Sequence, residues 1–246
     1  MNIMAPTSAA SVVTASLTNG SSLQAHFSGG TPPVLAALTP TLSVAAGATV
    51  NWTTQALALN NGAPTPGQTV SWQTGGNIIV TGLSSSTTGA NGIATKSLAV
   101  GPLVEGQQTT SDACLNGTTQ CVSFKALGAR PEYAWLEAVS GTAQTLPSSG
   151  TPGLIALRVR DMDGNPMAGG TVTLYQSLYA WTPPCSPHGR CAQAPLLATQ
   201  TATATSALDG TVAFTPASIS GVATNLIGLA ATGTSGTLTI AVEQHP

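Results

Sequence analysis

The sequence predicts an all-β protein built from antiparallel sandwiches, and three observations carry that expectation. Apolar residues alternate with period two in the informative windows. Ile155, Leu157 and Val159 alternate with Arg158 and Arg160, and Leu238, Ile240 and Val242 repeat the pattern near the end; this spacing marks a strand with one buried face. Val70 with Trp72, Val122 with Phe124, and Val212 with Phe214 keep the same spacing in short runs bounded by Gly, Pro, Asn or Asp, as strands between turns do. No window of comparable length carries a 3.6-residue stripe, so interleaved helices and a βαβ architecture are not expected. Val, Ile, Leu and Ala should fill the core, with Trp52, Trp72 and Trp135 as its largest side chains and Trp181 at the surface.

Internal similarity organises the chain. The segment Gly62-Ala63-Pro64-Thr65-Pro66-Gly67-Gln68-Thr69-Val70-Ser71-Trp72 aligns without gaps on the segment from Gly164 to Leu174, 102 residues later. A second phrase, anchored by Asn91-Gly92, recurs at Asp209-Gly210 with an offset of 118. The 16-residue difference marks an insertion in the later copy, placed near 179–195, where Cys185 and Cys191 stand. A hairpin pattern appears three times, around Asn19-Gly20, Asn116-Gly117 and Ser235-Gly236. Residues 1–33 are therefore expected to be the terminal hairpin of a truncated preceding unit plus a Gly-Gly-Thr-Pro-Pro linker. Residues 34–128 and 129–246 are expected to be two units, each near the size of one sandwich domain.

Composition excludes several functions. Only 6% of the residues are charged against 42% hydrophobic, and the formal net charge is -2. The six basic residues are dispersed, whereas a phosphate backbone or an acidic lipid surface is read by a concentrated positive face; neither nucleic acid nor a membrane surface is an expected partner. The longest apolar run near the start, Val34 to Leu38, is far too short to cross a bilayer as a helix. The first basic residue is Lys96, so no basic n-region opens a secretion signal here.

The four cysteines form two close pairs, Cys114 with Cys121 and Cys185 with Cys191, separated by six and five residues. Zinc ligands are usually spaced by two to four, so two local disulfides are the expectation. Closing so short a loop stabilises by about 2–3 kcal/mol in the chain-entropy picture. Disulfides place the chain in an oxidising compartment. The expectation is an extracellular or cell-surface protein, part of a longer polypeptide and exported by a signal not present in this chain.

No residue set announces a reaction. A Gly-x-Ser-x-Gly elbow is absent, and the eight acids fall mostly in turns or near the ends. Asp161-Met162-Asp163-Gly164-Asn165 spaces oxygen side chains as calcium loops do, but Val172 stands where such a loop needs Glu, so a hairpin turn is the expected role. No catalytic residue, cofactor or metal is expected. The stretch with binding character is 175–190, which combines Tyr175, Tyr179, Trp181, His188 and Arg190, and aromatic and Arg side chains dominate interface hot spots.

The ordered phrases resemble a known family. The run from Asp161 to Thr173 is similar to the "D..GNPV.G..VT" hairpin of the group 1 bacterial immunoglobulin-like domains, found in tandem in intimin- and invasin-type surface proteins. Ala207-Leu208-Asp209-Gly210-Thr211-Val212-Ala213 is similar to that family's "TDANGVA" turn and strand, and Thr88 to Thr95 repeats it in the earlier unit. The resemblance covers 34–246 in outline, with the cysteine-bearing insertion as a departure. It implies tandem immunoglobulin-like antiparallel β-sandwiches in the outer envelope of a bacterium, serving as a non-catalytic spacer or display stalk. The partner would be a host or neighbouring-cell surface protein or glycan. The alternative is a glycan- or protein-binding module of a secreted protein that recognises its ligand through the 175–190 loop.

Overall fold

The computed structural model describes residues 11–16, 22–27, 32–147, 150–180, 194–217, 223–231 and 237–245. Among them the chain is all-β, with no α-helix and a single 3₁₀ turn at Pro131–Tyr133. The strands β1 (Ser11–Ser16) and β2 (Ser22–Phe27) pair antiparallel across the first expected hairpin. Next come β3 (Val34–Leu38), β4 (Thr41–Ala45), β5 (Val50–Asn60), β6 (Ala63–Pro64), β7 (Thr69–Thr74) and β8 (Ile78–Val80). They are followed by β9 (Ser85–Thr87), β10 (Ile93–Val100), β11 (Gln108–Leu115) and β12 (Cys121–Ala129). After the 3₁₀ turn lie β13 (Trp135–Ser140), β14 (Ala143–Pro147), β15 (Ile155–Arg160), β16 (Met167–Ala168) and β17 (Thr171–Ala180). The last four are β18 (Leu196–Thr205), β19 (Thr211–Phe214), β20 (Ala223–Ala231) and β21 (Thr237–His245).

Two sandwiches result. In the first, a sheet ordered β3-β5-β10-β8 faces one ordered β4-β12-β11-β7-β9; in the second, β13-β15-β19 faces β14-β21-β20-β17-β18. The alternating windows behave as their period requires. Ile155, Leu157 and Val159 point inward while Arg158 and Arg160 point out, and Val70, Trp72, Val212 and Phe214 are buried.

Not every pair is antiparallel. β4 runs parallel to β12 and β14 runs parallel to β21. The cause is local: β3 pairs in one sheet, then the chain turns at Thr39, whose φ is +50°, and at Pro40, and continues as β4 in the facing sheet. A strand that switches sheets without reversing must lie alongside the last strand in the same direction.

The first core gathers three rings. Phe124 meets Trp52 edge-on at 5.8 Å between ring centres and Trp72 at 5.6 Å, separations at which aromatic pairs attract beyond simple burial. The Trp72 indole N–H donates to Ser86 Oγ at 2.8 Å. Lys96 was not an expected core residue, yet it is only 8% exposed on the inward side of β10, between Ala94 and Leu98. Its ammonium donates to the carbonyl of Leu83, which ties down the crossing from β8 to β9. Among the described residues the second core is aliphatic apart from Phe214. Trp135 does not join it: this residue is 44% exposed on β13, where the Arg160 guanidinium lies 5.9 Å from its ring centre. The same guanidinium pairs with Glu137 and donates to the Gly164 carbonyl at 2.7 Å, and a ring beside a cation adds a further attraction.

Candidate functional site

Three regions could carry function, and the joint between the sandwiches is the most elaborately built. β16 leaves the second sandwich and pairs parallel with β4 of the first, Met167 opposite Ser43 and Ala168 opposite Val44. Ala168 is fully buried in the first core, and Leu208 packs against that core from the second sandwich. In the other direction, Ala45 and Ala129 belong to the second core. β4 is therefore buried on both faces: Leu42 and Val44 face their own core, while Ala45 on the opposite face meets the neighbour. Arg130, on the connection, pairs with Glu105.

Gly169 shows how closely the two bodies meet. Its φ is +73°, and a Cβ there would lie 2.7 Å from Ala48 Cβ and 3.3 Å from Val50 Cγ1 of the first sandwich. Only a residue without a side chain satisfies both conditions. A cavity of about 570 Å³ is lined by Leu42, Ser43, Trp52 and Lys125 of the first sandwich and by Asp161 and Asp209 of the second.

The oxygen-rich run does the work of a turn. Asp161 is 2% exposed, and its Oδ1 accepts the N–H groups of Asp163 at 3.0 Å and Asn165 at 2.8 Å. Among the described residues no group of three His, Cys, Asp or Glu is placed to hold a metal. Asp209 likewise folds its own turn, and its pKa is held below the usual carboxylate value chiefly by the Thr211 hydroxyl, 2.6 Å away, and then by the Thr211 N–H.

Sequence reasoning missed one buried hydroxyl in each sandwich, which ties down the turn before β7 or β17. Ser206 Oγ accepts the Gly170 N–H at 2.9 Å and donates to the Met167 carbonyl at 2.7 Å. Thr88 Oγ1 accepts the Gln68 N–H at 2.9 Å and donates to the Thr65 carbonyl at 2.8 Å. These are equivalent positions under the offsets of 102 and 118. Both hydroxyls are buried. The signal was a Thr and a Ser at matching places in the aligned phrases; what they bond could not be read from it.

The second region is the hairpin β17–β18. Tyr175 and Tyr179 lie on the outward face of β17, Tyr175 at 49% exposure, while Val172, Leu174, Gln176 and Leu178 point inward. Tyr179 pairs in register with Leu196, itself exposed. The insertion was expected near 179–195; strand structure reaches Ala180 and resumes at Leu196, and 181–193 lie outside the described residues. β17 and β18 have ten residues each, against six in β7 and three in β9. Trp181, Cys185, His188, Arg190 and Cys191 lie outside the described residues.

The third region is the disulfide Cys114–Cys121, directly opposed in the β11–β12 ladder as the turn at Asn116-Gly117 predicts. It staples a hairpin whose core faces are already buried and presents no reactive thiol.

No protein-family model matches the chain, and no curated protein matches it. Among solved structures it is similar to the D0-D1 domain of intimin, at 17% identity and a TM-score of 0.34, over 86% of this chain and 97% of that one. It is also similar to invasin, a bacterial integrin-binding protein, at 18% identity and a TM-score of 0.33, over 85% of this chain and 39% of invasin. Domains 5-6 of the S-layer protein SbsC give 14% identity and a TM-score of 0.31, over 87% of this chain and all of that one.

Proposed function

We propose that this chain is a non-catalytic structural module of a bacterial surface or secreted protein, acting as a spacer or display stalk. The observation that supports it is the joint. A strand of one sandwich completes a sheet of the other, and each core takes up residues of its neighbour. Interfaces between domains of one chain are commonly small and polar and permit relative motion; a shared sheet and shared cores oppose it. A stalk needs that stiffness, since a hinge would lose the position of whatever it carries. The paired Cys114 and Cys121 suit an oxidising location outside the cytoplasm.

Solution scattering tests the reading. The full chain should scatter as an elongated particle of fixed shape. Ala168→Glu, which forces a charge into the first core, should broaden the distance distribution while each sandwich keeps its strand content. A wild-type chain that already scatters as a freely hinged pair, or as a compact particle, would overturn it.

A second reading, a glycan- or protein-binding module working through 175–190, has one observation in its favour: Tyr175 and Tyr179 share an outward face beside exposed Leu196. It predicts that Tyr175→Ala and Trp181→Ala abolish retention on a glycan or protein array without moving the melting temperature. Unchanged retention would remove it.

A further inference from the structure

The sheet edges of the two sandwiches are managed differently. Unpaired edges template pairing with another chain, and proteins blunt them by shortness, charge, proline or bulges. In the first sandwich the edge beyond β7 is the three-residue β9. Among the described residues the other free edges are also blunted. β13 carries Glu137 and a register shift, β14 is five residues long and ends at Pro147, β3 has five residues, and β8 and β19 have three and four.

β18 is the exception. It occupies the place of β9 but runs for ten residues, Leu-Leu-Ala-Thr-Gln-Thr-Ala-Thr-Ala-Thr, with no charge and no proline. Eight of the ten are exposed, and Ala204 near its end packs against the core. Only β17 pairs with it among the described residues. Its neighbour Tyr175 adds an exposed ring, and Leu196 and Leu197 are both more than half exposed.

We propose that β18 is a strand-addition surface whose occupant is the β18 of a second copy of this chain. The strand is self-complementary. Antiparallel pairing centred on Thr201 sets Thr199 opposite Thr203 and Gln200 opposite Ala202, so hydroxyls meet hydroxyls about the axis on one face, with Leu197 opposite Thr205 at its ends, and small or neutral side chains meet on the other. Cross-strand Thr pairs are favourable, whereas like charges directly opposite are not; with no charge in the strand, a two-fold axis through Thr201 brings none together. The two five-stranded sheets become one continuous sheet across that axis. This is an isologous contact, which closes as a dimer rather than propagating. In a stalk, such pairing joins two neighbouring copies side by side.

The experiment is sedimentation of the full chain from micromolar to near-millimolar concentration, with Thr201→Lys and Thr201→Glu alongside. The wild type should pass from 24.4 kDa to about twice that mass as concentration rises. Each variant alone should remain at the monomer mass, with dimer affinity weakened by about tenfold or more. An equimolar mixture of the two should dimerise again, because opposite charges then meet at the axis. Hydrogen exchange of the wild type over the same concentrations should protect 196–205, which keeps the test independent of how the variants fold. A wild type that stays monomeric overturns the proposal. A dimer that ignores both charges, or one in which 196–205 gain no protection, overturns it equally.

Discussion

In the first sandwich three aromatic rings meet in the core and β9, the edge strand beside β7, has three residues. In the second, Phe214 is the one aromatic among the described residues of an aliphatic core, and the equivalent strand has ten residues. The turn chemistry between them is nearly constant. Asn91 Oδ1 accepts the Ile93 N–H at 3.1 Å where Asp209 Oδ1 accepts the Thr211 N–H at 3.0 Å, and the Thr88 and Ser206 hydroxyls make matching bonds. Turns tolerate few alternatives because buried backbone groups must all be paired. Strand length and core identity have many solutions of similar energy, and there the two bodies diverge.

The difference can be broken most sharply at the first core. Phe124→Ala removes the ring shared by Trp52 and Trp72 and should cost about 3–5 kcal/mol. Tryptophan fluorescence during denaturant unfolding should show the loss in the first sandwich, with strand signal from the second persisting.

Gly67 and Gly169 share a φ of +73°, but only Gly169 approaches another body. Gly169→Ala should cost about 2–4 kcal/mol, combining left-handed strain with overpacking, against about 1–2 kcal/mol for Gly67→Ala. Equal costs in denaturant titrations would mean that Ala48 and Val50 yield freely.

The shared hydroxyl offers the opposite test. Thr88→Val leaves a part-buried N–H and carbonyl without that partner and Ser206→Ala a buried pair, so both should lose about 1–3 kcal/mol. A large inequality in their melting shifts would show that the matching bonds are not matching in energy.

The smallest effect belongs to Asp209, which is exposed. Its folded pKa lies below its unfolded value, so its contribution is complete above the ordinary carboxylate range and is lost as pH falls through the folded value. Stability of the second sandwich should decline slightly in acid. Asp209→Asn should remove that slope, and the first sandwich, with Asn91 in this place, should lack it.

How much of this was legible depended on the range of the interaction. The alternation of Ile155, Leu157 and Val159, the opposed Cys114 and Cys121, and the turns at Asp161 and Asp209 are local, and their patterns sit in a few consecutive residues. Trp135 was misjudged because hydrophobicity says that a ring prefers burial, not which face of an edge strand it will occupy; an Arg160 across the ladder settled that. Lys96 was overlooked because a lysine on an inward position is readable only once the Leu83 carbonyl is known to lie beside it. Of the candidate ligand residues, Tyr175 and Tyr179 come together on one face with Leu196, a neighbour that no spacing rule connects to them.

The sequence by itself determined the all-β class, the period-two faces, the turn positions and a disulfide, because each is decided by contacts between residues near in the chain or by the geometry of a single strand. Only the tertiary structure decided that β16 would pair with β4, that Ala168 would enter the neighbouring core, and that β18 would pair with β17 alone among the described residues. The first two depend on surfaces assembled from strands more than a hundred residues apart, where complementarity of shape and the satisfaction of backbone hydrogen bonds, rather than local preference, choose the partner.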